Sequence, residues 1–128
     1  MTGAALPHVL VVEDSEPIRS AFTILLEESG YAVTGAATGA EALRAAGESV
    51  PDLVLLDLGL PDMSGLRVVV EIKASPATAA IPVVALTGRD EDEDRRALLD
   101  AGCTAYLVKP VDTQALLRAL PQYIATRR

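Results

Sequence analysis

The sequence predicts an α/β fold in which five parallel strands alternate with five helices in a doubly wound sandwich. Four short runs are continuously apolar, which is typical of strands buried on both faces of a parallel sheet. Between these runs, apolar residues recur at the spacing of amphipathic helices. The length of 128 residues suits one compact domain. We therefore expect a single domain over residues 1–128, with a core from about residue 8 to residue 124.

The strands are predicted from their composition and from the residues that bound them. Val9 to Val12 is a β-branched run between Pro7 and an acidic pair, and it is too short for a helix. The other buried strands are predicted at residues 53–56, 83–86 and 105–108. Residues 31–36 alternate more and include Thr34 and Gly35, so we predict a strand at an edge of the sheet.

Two helices are predicted before the second buried strand. The first has one apolar stripe and ends at Gly30, because glycine is favoured just after a helix. The second begins with the capping box of Thr38 and Glu41 and is predicted to end near Gly47. The stripe of the first helix consists of Ile18, Ala21, Phe22, Leu25 and Leu26.

Three further helices follow the later strands. The third is predicted over residues 65–74, and its inward residues are expected to be Leu66, Val69 and Val70. The fourth is predicted from Asp90 to Gly102, and its acidic start at residues 90–94 is read as a solvated helix terminus because it lacks the calcium-loop spacing. The fifth is predicted after Asp112, with Pro121 ending or kinking it.

Charge and composition exclude several classes of function. The net charge of -7 and the pI of about 4.6 disfavour binding to nucleic acid and to anionic membrane surfaces. The chain has no apolar run of the roughly 18 residues that a membrane span needs, and residues 1–8 do not resemble a signal peptide. We therefore expect a cytoplasmic protein. His8 is expected at the surface before the first strand, and Cys103 is expected to be an inert loop thiol.

Polar side chains follow four of the predicted strands. These are Glu13 and Asp14 after the first, Asp57 after the third, Thr87 after the fourth and Lys109 after the fifth. Ligands of doubly wound sheets bind beyond the carboxyl ends of the strands, so these groups are expected to converge. Clustered carboxylates need a cation, and a donor set made only of oxygens favours Mg²⁺, with Mn²⁺ as an alternative.

The same residues also have structural interpretations. Glu13 and Asp14 are able to cap the first helix beside Ser15, and an aspartate after a strand is often an ordinary turn residue. Their occurrence together with a threonine and a lysine at successive strand ends favours a chemical role. A carboxylate such as Asp57 can then act as a nucleophile and form an aspartyl phosphate.

Four ordered segments resemble the receiver domains of two-component response regulators over essentially the whole chain. They are Val9 to Ser15 (VLVVEDS), Leu53 to Gly65 (LVLLDLGLPDMSG), Val83 to Gly88 (VVALTG) and Ala101 to Pro110 (AGCTAYLVKP). The resemblance implies a flavodoxin-like fold with strand order 2-1-3-4-5. It also implies a cis bond between Lys109 and Pro110.

The resemblance assigns a role to each candidate site residue. Asp57 is implied to be the phosphoacceptor, and Lys109 the cation that contacts the phosphoryl group. Thr87 is implied to be the switch hydroxyl, and Tyr106 the aromatic residue whose rotamer follows it. The implied Mg²⁺ ligands are Glu13, Asp14, Asp57 and the backbone carbonyl of Gly59. Gly59 and Gly88 differ from many members of the family and are expected to open the pocket to water, so no unusually long phosphoryl lifetime is expected.

The resemblance implies a switch phosphorylated by a histidine kinase or a histidine phosphotransfer protein. Its signal would pass to a protein target through the face formed by helix 4, strand 5 and helix 5, as in stand-alone regulators, phosphorelay intermediates or the receiver domain of a larger protein. Two alternatives remain: a phosphate-independent interaction module, and an Mg²⁺-dependent phosphatase of the haloacid dehalogenase type. The phosphatase is disfavoured because the candidate nucleophile follows the third strand and Gly59 stands where a second aspartate is required. An enzyme with multiple turnover is therefore not expected.

Overall fold

A computed structural model describes residues 6–88 and 92–126 of the chain, with the side chains of residues 92–94 excepted. Within these ranges, strands and helices alternate from end to end, as predicted. The strands are β1 (His8–Val12), β2 (Ala32–Ala36), β3 (Leu53–Asp57), β4 (Val83–Thr87) and β5 (Ala105–Val108). The helices are α1 (Glu16–Glu28), α2 (Gly39–Ser49), α3 (Gly65–Ala74), α4 (Asp92–Ala101) and α5 (Thr113–Ala125).

The strands form one parallel sheet in the order β2-β1-β3-β4-β5. This order confirms the prediction, including the edge position of β2. Each residue of β3 and β4 is buried, whereas β5 at the opposite edge is only half-buried. The apolar runs of the central strands are therefore continuous because helices cover both faces of the sheet.

Two apolar clusters lie on opposite faces of the sheet. Leu10 and Val12 of β1 pack in the cluster that includes residues of α2, α3 and α4, while Val9 and Val11 pack with residues of α1 and α5. Successive side chains of a strand point to opposite faces, so one short apolar run supplies both clusters. The arrangement confirms the doubly wound sandwich, and the carboxyl ends of all strands meet at one edge.

Side-chain caps start four of the helices. Ser15, Thr38, Ser64 and Asp112 each accept a hydrogen bond from a backbone N–H of the first turn that follows. After α1, Gly30 adopts a positive φ of 98°, in agreement with the predicted end of that helix.

The predicted end of α2 near Gly47 is wrong. The helix continues to Ser49, and Val50 adopts a left-handed φ of 43°. The Val50 N–H donates to the Ala46 carbonyl, and its side chain packs against the core cluster. This packing offsets the usual preference for glycine at such a position.

The predicted inward residues of α3 require one correction. Val69 is buried and Leu66 is half-buried, but Val70 is 48% exposed and Val68 is buried in its place. The run of consecutive valines fits two adjacent helical stripes, and the sheet selects the stripe that also contains Ile72.

Pro121 does not end α5, which continues to Ala125, so that alternative of the prediction is wrong. A proline removes one helical hydrogen bond, but Leu120 is fully buried and Tyr123 and Ile124 pack against the same cluster. Tertiary packing therefore holds the last turn of this helix in place.

His8 is the first residue of β1 and is half-buried, so its expected surface position before the strand is wrong. Its Nε2 lies 2.7 Å from Thr34 Oγ1 on β2, and its backbone N–H donates to Asp52. The start of α4 predicted at Asp90 and the acidic run of residues 90–94 lie outside the described residues and side chains. The predicted end of that helix is confirmed by Gly102, which has a positive φ of 114°. Among the described helices, none combines the length and apolar character that a membrane span requires.

Candidate active site

The polar residues predicted to converge are found at the carboxyl edge of the sheet. Glu13 and Asp14 follow β1, Asp57 and Thr87 are the last residues of β3 and β4, and Lys109 directly follows β5. Because the strands are parallel and in register, these positions are neighbours in space. The Lys109 N–H donates to the Thr87 carbonyl over 2.8 Å, which extends the ladder between the two strands.

Three carboxylates form the centre of the site. Oxygen atoms of Glu13, Asp14 and Asp57 all lie within 4.8 Å of one another. Glu13 and Asp57 are buried, whereas Asp14 is exposed. Burial raises the pKa of the Glu13 carboxyl, the negative charge of Asp57 adds to this increase, and the Ser15 N–H opposes it. The cluster is therefore short of positive charge, as expected of a cation site.

Lys109 supplies one positive charge to this cluster. Its Nζ lies 2.5 Å from Asp57 Oδ1, and its side chain is 44% exposed. The peptide bond between Lys109 and Pro110 is cis, as the family resemblance implied. A compact ammonium on a flexible stem can pair with an oxygen of a carboxylate or of a phosphoryl group.

Thr87 follows Leu86, the residue of β4 that pairs with Asp57, and so lies at the same edge of the sheet as Asp57. Its hydroxyl is buried, and it finds no hydrogen-bond partner among the residues that the structure describes. A buried hydroxyl without a partner costs about 1 to 3 kcal/mol. The hydroxyl is thus available to a ligand oxygen at this edge of the sheet.

The backbone of Gly59 lies beside the central carboxylate. A Cβ atom built at this position would be 3.8 Å from Asp57 Oδ2, so the loop passes close to this carboxylate without a side chain between them. The three carboxylates form an oxygen-only donor set. This set fits a hard divalent cation such as Mg²⁺ and does not fit zinc.

Tyr106 lies on β5 next to α4. Its ring is half-buried, the Arg95 guanidinium stacks 5.0 Å from its centroid, and Arg95 Nη1 lies 3.4 Å from its hydroxyl. An open groove of about 520 Å³ beside the ring is lined by these two residues together with Arg96, Leu99 and Asp100. Tyr106 therefore connects the edge of the sheet with an accessible surface.

Two residues that support the site were missed by the sequence reasoning. Arg19 on α1 donates from Nη1 to the Glu13 carbonyl over 2.8 Å, and Asp62 binds the first turn of α2 with both carboxylate oxygens. Neither residue directly follows a strand, so the expectation that site residues follow the carboxyl ends of strands does not include them. The arginine spacing on α1 and the aspartate after Pro61 are too common to serve as signals.

The chain is similar to signalling proteins of known family. Residues 9–121 match the family model described as response regulator receiver domain. The chain is 44% identical over 112 residues to the transcriptional regulatory protein KdpE of Mycobacterium tuberculosis, covering 88% of this chain and 48% of that protein. It thus spans about half the length of this relative.

Two further proteins match over nearly their whole lengths. The polar-differentiation response regulator DivK of Brucella ovis is 36% identical over 91% of this chain and 94% of its own. The receiver domain of a sensor histidine kinase from Pseudomonas aeruginosa, solved with a magnesium ion coordinated in the active site cleft, superposes with a TM-score of 0.85. It is 34% identical, and the match covers 94% of this chain and 99% of that one. The carboxylate cluster, the fold and these matches agree, and the chain belongs to the response regulator receiver domain family.

Proposed function

We propose that Asp57 accepts a phosphoryl group from a phosphohistidine of a histidine kinase or histidine phosphotransfer protein. The modified domain would then act as a signalling switch. The observation that carries this proposal is the pairing of a buried aspartate with Lys109 inside an acidic cluster, next to a buried threonine hydroxyl that lacks a partner among the described residues. An ordinary structural ion pair does not need the other two features.

The residues of the chain have distinct roles in this transfer. An Asp57 oxygen attacks the phosphorus atom, so a new O–P bond forms as the N–P bond to the donor imidazole breaks. Lys109 compensates the negative charge of the acceptor before transfer and contacts the phosphoryl oxygens after it. Thr87 donates its hydroxyl hydrogen to one of those oxygens and so gains a partner, which it does not have among the described residues.

Glu13, Asp14, Asp57 and the Gly59 carbonyl would hold Mg²⁺, with Mn²⁺ as a substitute. When bound, the cation neutralises charge on the transferred group and on the carboxylates. The acidic cluster and the raised pKa of Glu13 support this assignment, because both indicate a site that lacks positive charge. The magnesium described in the Pseudomonas relative is consistent with it.

The switch would act through Thr87 and Tyr106. Movement of Thr87 toward the phosphoryl group frees space at the end of β4, and the Tyr106 ring moves into it from its stacked position against Arg95. The affected surface is formed by α4, β5 and α5, where the open groove beside Tyr106 lies. A protein target that reads this surface would distinguish the two states.

The proposal is tested by intact-mass measurement after incubation with acetyl phosphate and Mg²⁺. We expect one phosphoryl adduct in the wild type with metal and none after chelation. Asp57→Asn should abolish the adduct. Asp52→Asn is the matched control, since it makes the same change at the opposite end of β3, where Asp52 accepts a hydrogen bond from the His8 N–H.

The outcomes separate the candidate functions. An adduct that survives in Asp57→Asn would place the modification elsewhere and overturn the assignment. Steady release of inorganic phosphate that depends on Asp57, without an adduct, would indicate either rapid turnover of the aspartyl phosphate or a phosphatase. The absence of both adduct and release in the wild type would favour a phosphate-independent interaction module.

A further inference from the structure

The loop between β3 and α3 is attached to the start of α2 by one carboxylate. Asp62 Oδ1 accepts a hydrogen bond from the Gly39 N–H over 2.8 Å, and Asp62 Oδ2 accepts one from the Ala40 N–H over 3.0 Å. The first N–H groups of a helix have no intrahelical partners, so the loop satisfies two of them. Both bonds are charge-assisted, and they lower the pKa of the Asp62 carboxyl.

Close packing reinforces this attachment. A Cβ atom at Gly39 would overlap the Met63 side chain, and one at Gly65 would overlap Leu58. The Met63 side chain of the loop therefore packs directly against the first residue of α2. Leu58, at the start of the loop, packs against Gly65, where α3 begins. Among the hydrogen bonds between described residues, those of Asp62 are the ones that connect residues 58–63 with another element.

The attached loop is also the loop that carries Gly59. This glycine stands between Asp57 and the attachment point, and its backbone passes close to the Asp57 carboxylate. The other proposed metal ligands lie on the ends of β1 and β3, which the sheet holds in register. The Gly59 carbonyl lies outside the strand ladder, so its position depends on what holds the loop. Two kinds of contact hold it: Leu58 and Leu60 pack against the core cluster on either side of Gly59, and Asp62 supplies the hydrogen bonds to α2.

We propose that Asp62 is a positioning residue of the metal site, which raises the affinity for Mg²⁺ by fixing the loop that presents the Gly59 carbonyl. This inference rests on the proposed function, because it takes the Gly59 carbonyl as a ligand. Asp62 itself is exposed and is occupied with α2, so it acts through the loop and not on the metal. Loss of a group that orients a metal ligand typically weakens metal binding by about 10-fold to 100-fold.

The test measures Mg²⁺ affinity by isothermal titration calorimetry on the full chain. We expect Asp62→Ala to raise the Kd for Mg²⁺ by about 10-fold, at the lower end of the usual range because only one of four ligands is affected. Asp62→Asn keeps one acceptor oxygen and should give a smaller increase. This graded series distinguishes positioning from a general loss of folding.

Glu41→Ala is the matched control. The Glu41 carboxylate also stabilises the start of α2: it accepts a hydrogen bond over 2.9 Å from the N–H of Ala37, the residue before the N-cap Thr38. Among the described residues, Glu41 has no hydrogen bond to the loop. Its removal should lower the urea midpoint about as much as Asp62→Ala does, and it should leave the Kd for Mg²⁺ unchanged.

Three results would overturn the inference. The first is equal Mg²⁺ affinity in the wild type and Asp62→Ala, and the second is an equal loss of affinity in Asp62→Ala and Glu41→Ala. In either case the wild type still binds Mg²⁺, so the proposed function stands. The third is a wild type that does not bind Mg²⁺, which would overturn the metal site and the positioning role together.

Discussion

The replacement of Thr87 by valine should stabilise the unmodified protein, although most changes of buried residues destabilise. The Thr87 hydroxyl is buried and lacks a hydrogen-bond partner among the described residues. Valine has nearly the same shape and no polar atom, so the substitution removes a desolvation penalty without opening a cavity. From a penalty of about 1 to 3 kcal/mol, we expect the free energy of unfolding to rise by about 1 kcal/mol.

The chain offers a second buried threonine for comparison. Thr78 donates its hydroxyl to the Ile72 carbonyl over 2.6 Å. Thr78→Val removes this bond and leaves the carbonyl at the end of α3 without its partner. The same chemical change should therefore lower the free energy of unfolding by about 1 to 3 kcal/mol. The prediction is therefore that the same substitution changes the free energy of unfolding in opposite directions at the two buried threonines.

Urea unfolding followed by far-ultraviolet circular dichroism measures both effects, since the chain has no tryptophan. The protein should be metal-free and unphosphorylated. An increase of about 1 kcal/mol corresponds to a rise in the urea midpoint of about 0.3 to 1 M. A decrease of more than about 1 kcal/mol in Thr87→Val would show that the hydroxyl is satisfied in the unmodified protein, and the reasoning would fail.

Three other perturbations test different parts of the structure. Lys109→Met removes the ammonium group that pairs with the buried Asp57 carboxylate, and it should lower the free energy of unfolding by about 1 to 3 kcal/mol. The range is low because the Lys109 side chain is 44% exposed. In urea unfolding, added Mg²⁺ should restore part of this loss. Gly65→Ala should lower the free energy of unfolding by about 1 to 3 kcal/mol, because the added methyl group overlaps Leu58 of the preceding loop. Gly47→Ala should raise it by up to about 1 kcal/mol, because a Cβ atom there has nothing within 4 Å to overlap and alanine favours the helix. Urea unfolding measures both effects. Burial raises the pKa of Cys103 from 9.0 to about 11, so at pH 8 its alkylation should be at least about 100-fold slower in the folded than in the unfolded chain. Because the folded protein holds the thiol protonated, the stability that it contributes should be complete below pH 9 and be lost as the pH rises to about 11; Cys103→Ala should remove this loss in alkaline unfolding curves.

Each of these predictions has a contrary result. Stability of Lys109→Met that does not respond to Mg²⁺ would argue against a cation at the carboxylate cluster. Equal effects at the two glycines would show that the overlap at Gly65 is relieved. Rapid alkylation of Cys103 in the folded protein would contradict its burial and the expectation of an inert thiol.

Much of the fold was predictable because strands and helix ends have local signals. The apolar runs of β1, β3, β4 and β5 predict strands directly, and the pair of Thr38 and Glu41 predicts the start of α2. The errors concern places where two local solutions compete. At Val70, Pro121 and the end of α2, packing against the sheet decided between alternatives that the sequence pattern left nearly equal.

The candidate site was predictable for a related reason. Parallel strands carry their carboxyl ends to one edge, so the sequence position of a residue directly after a strand is enough to place it at that edge. Glu13, Asp57, Thr87 and Lys109 were found in this way, and the fold brings them together. The proposed switch role of Tyr106 rests on family resemblance alone, and its contact with Arg95 did not follow from the sequence.

The sequence by itself determined the order of strands and helices along the chain, the edge of the sheet at which the site lies, and the types of side chain that meet there: carboxylates, a hydroxyl and an ammonium. Only the tertiary structure decided which of these polar groups have hydrogen-bond partners. Thr87 lacks a partner among the described residues while Thr78 has one, and Asp62 reaches an N–H group that is 23 residues away in sequence. The reason is that hydrophobic periodicity reports on the element to which a residue belongs. Hydrogen-bond partners and burial depend instead on distances between elements, which exist only once the chain has folded.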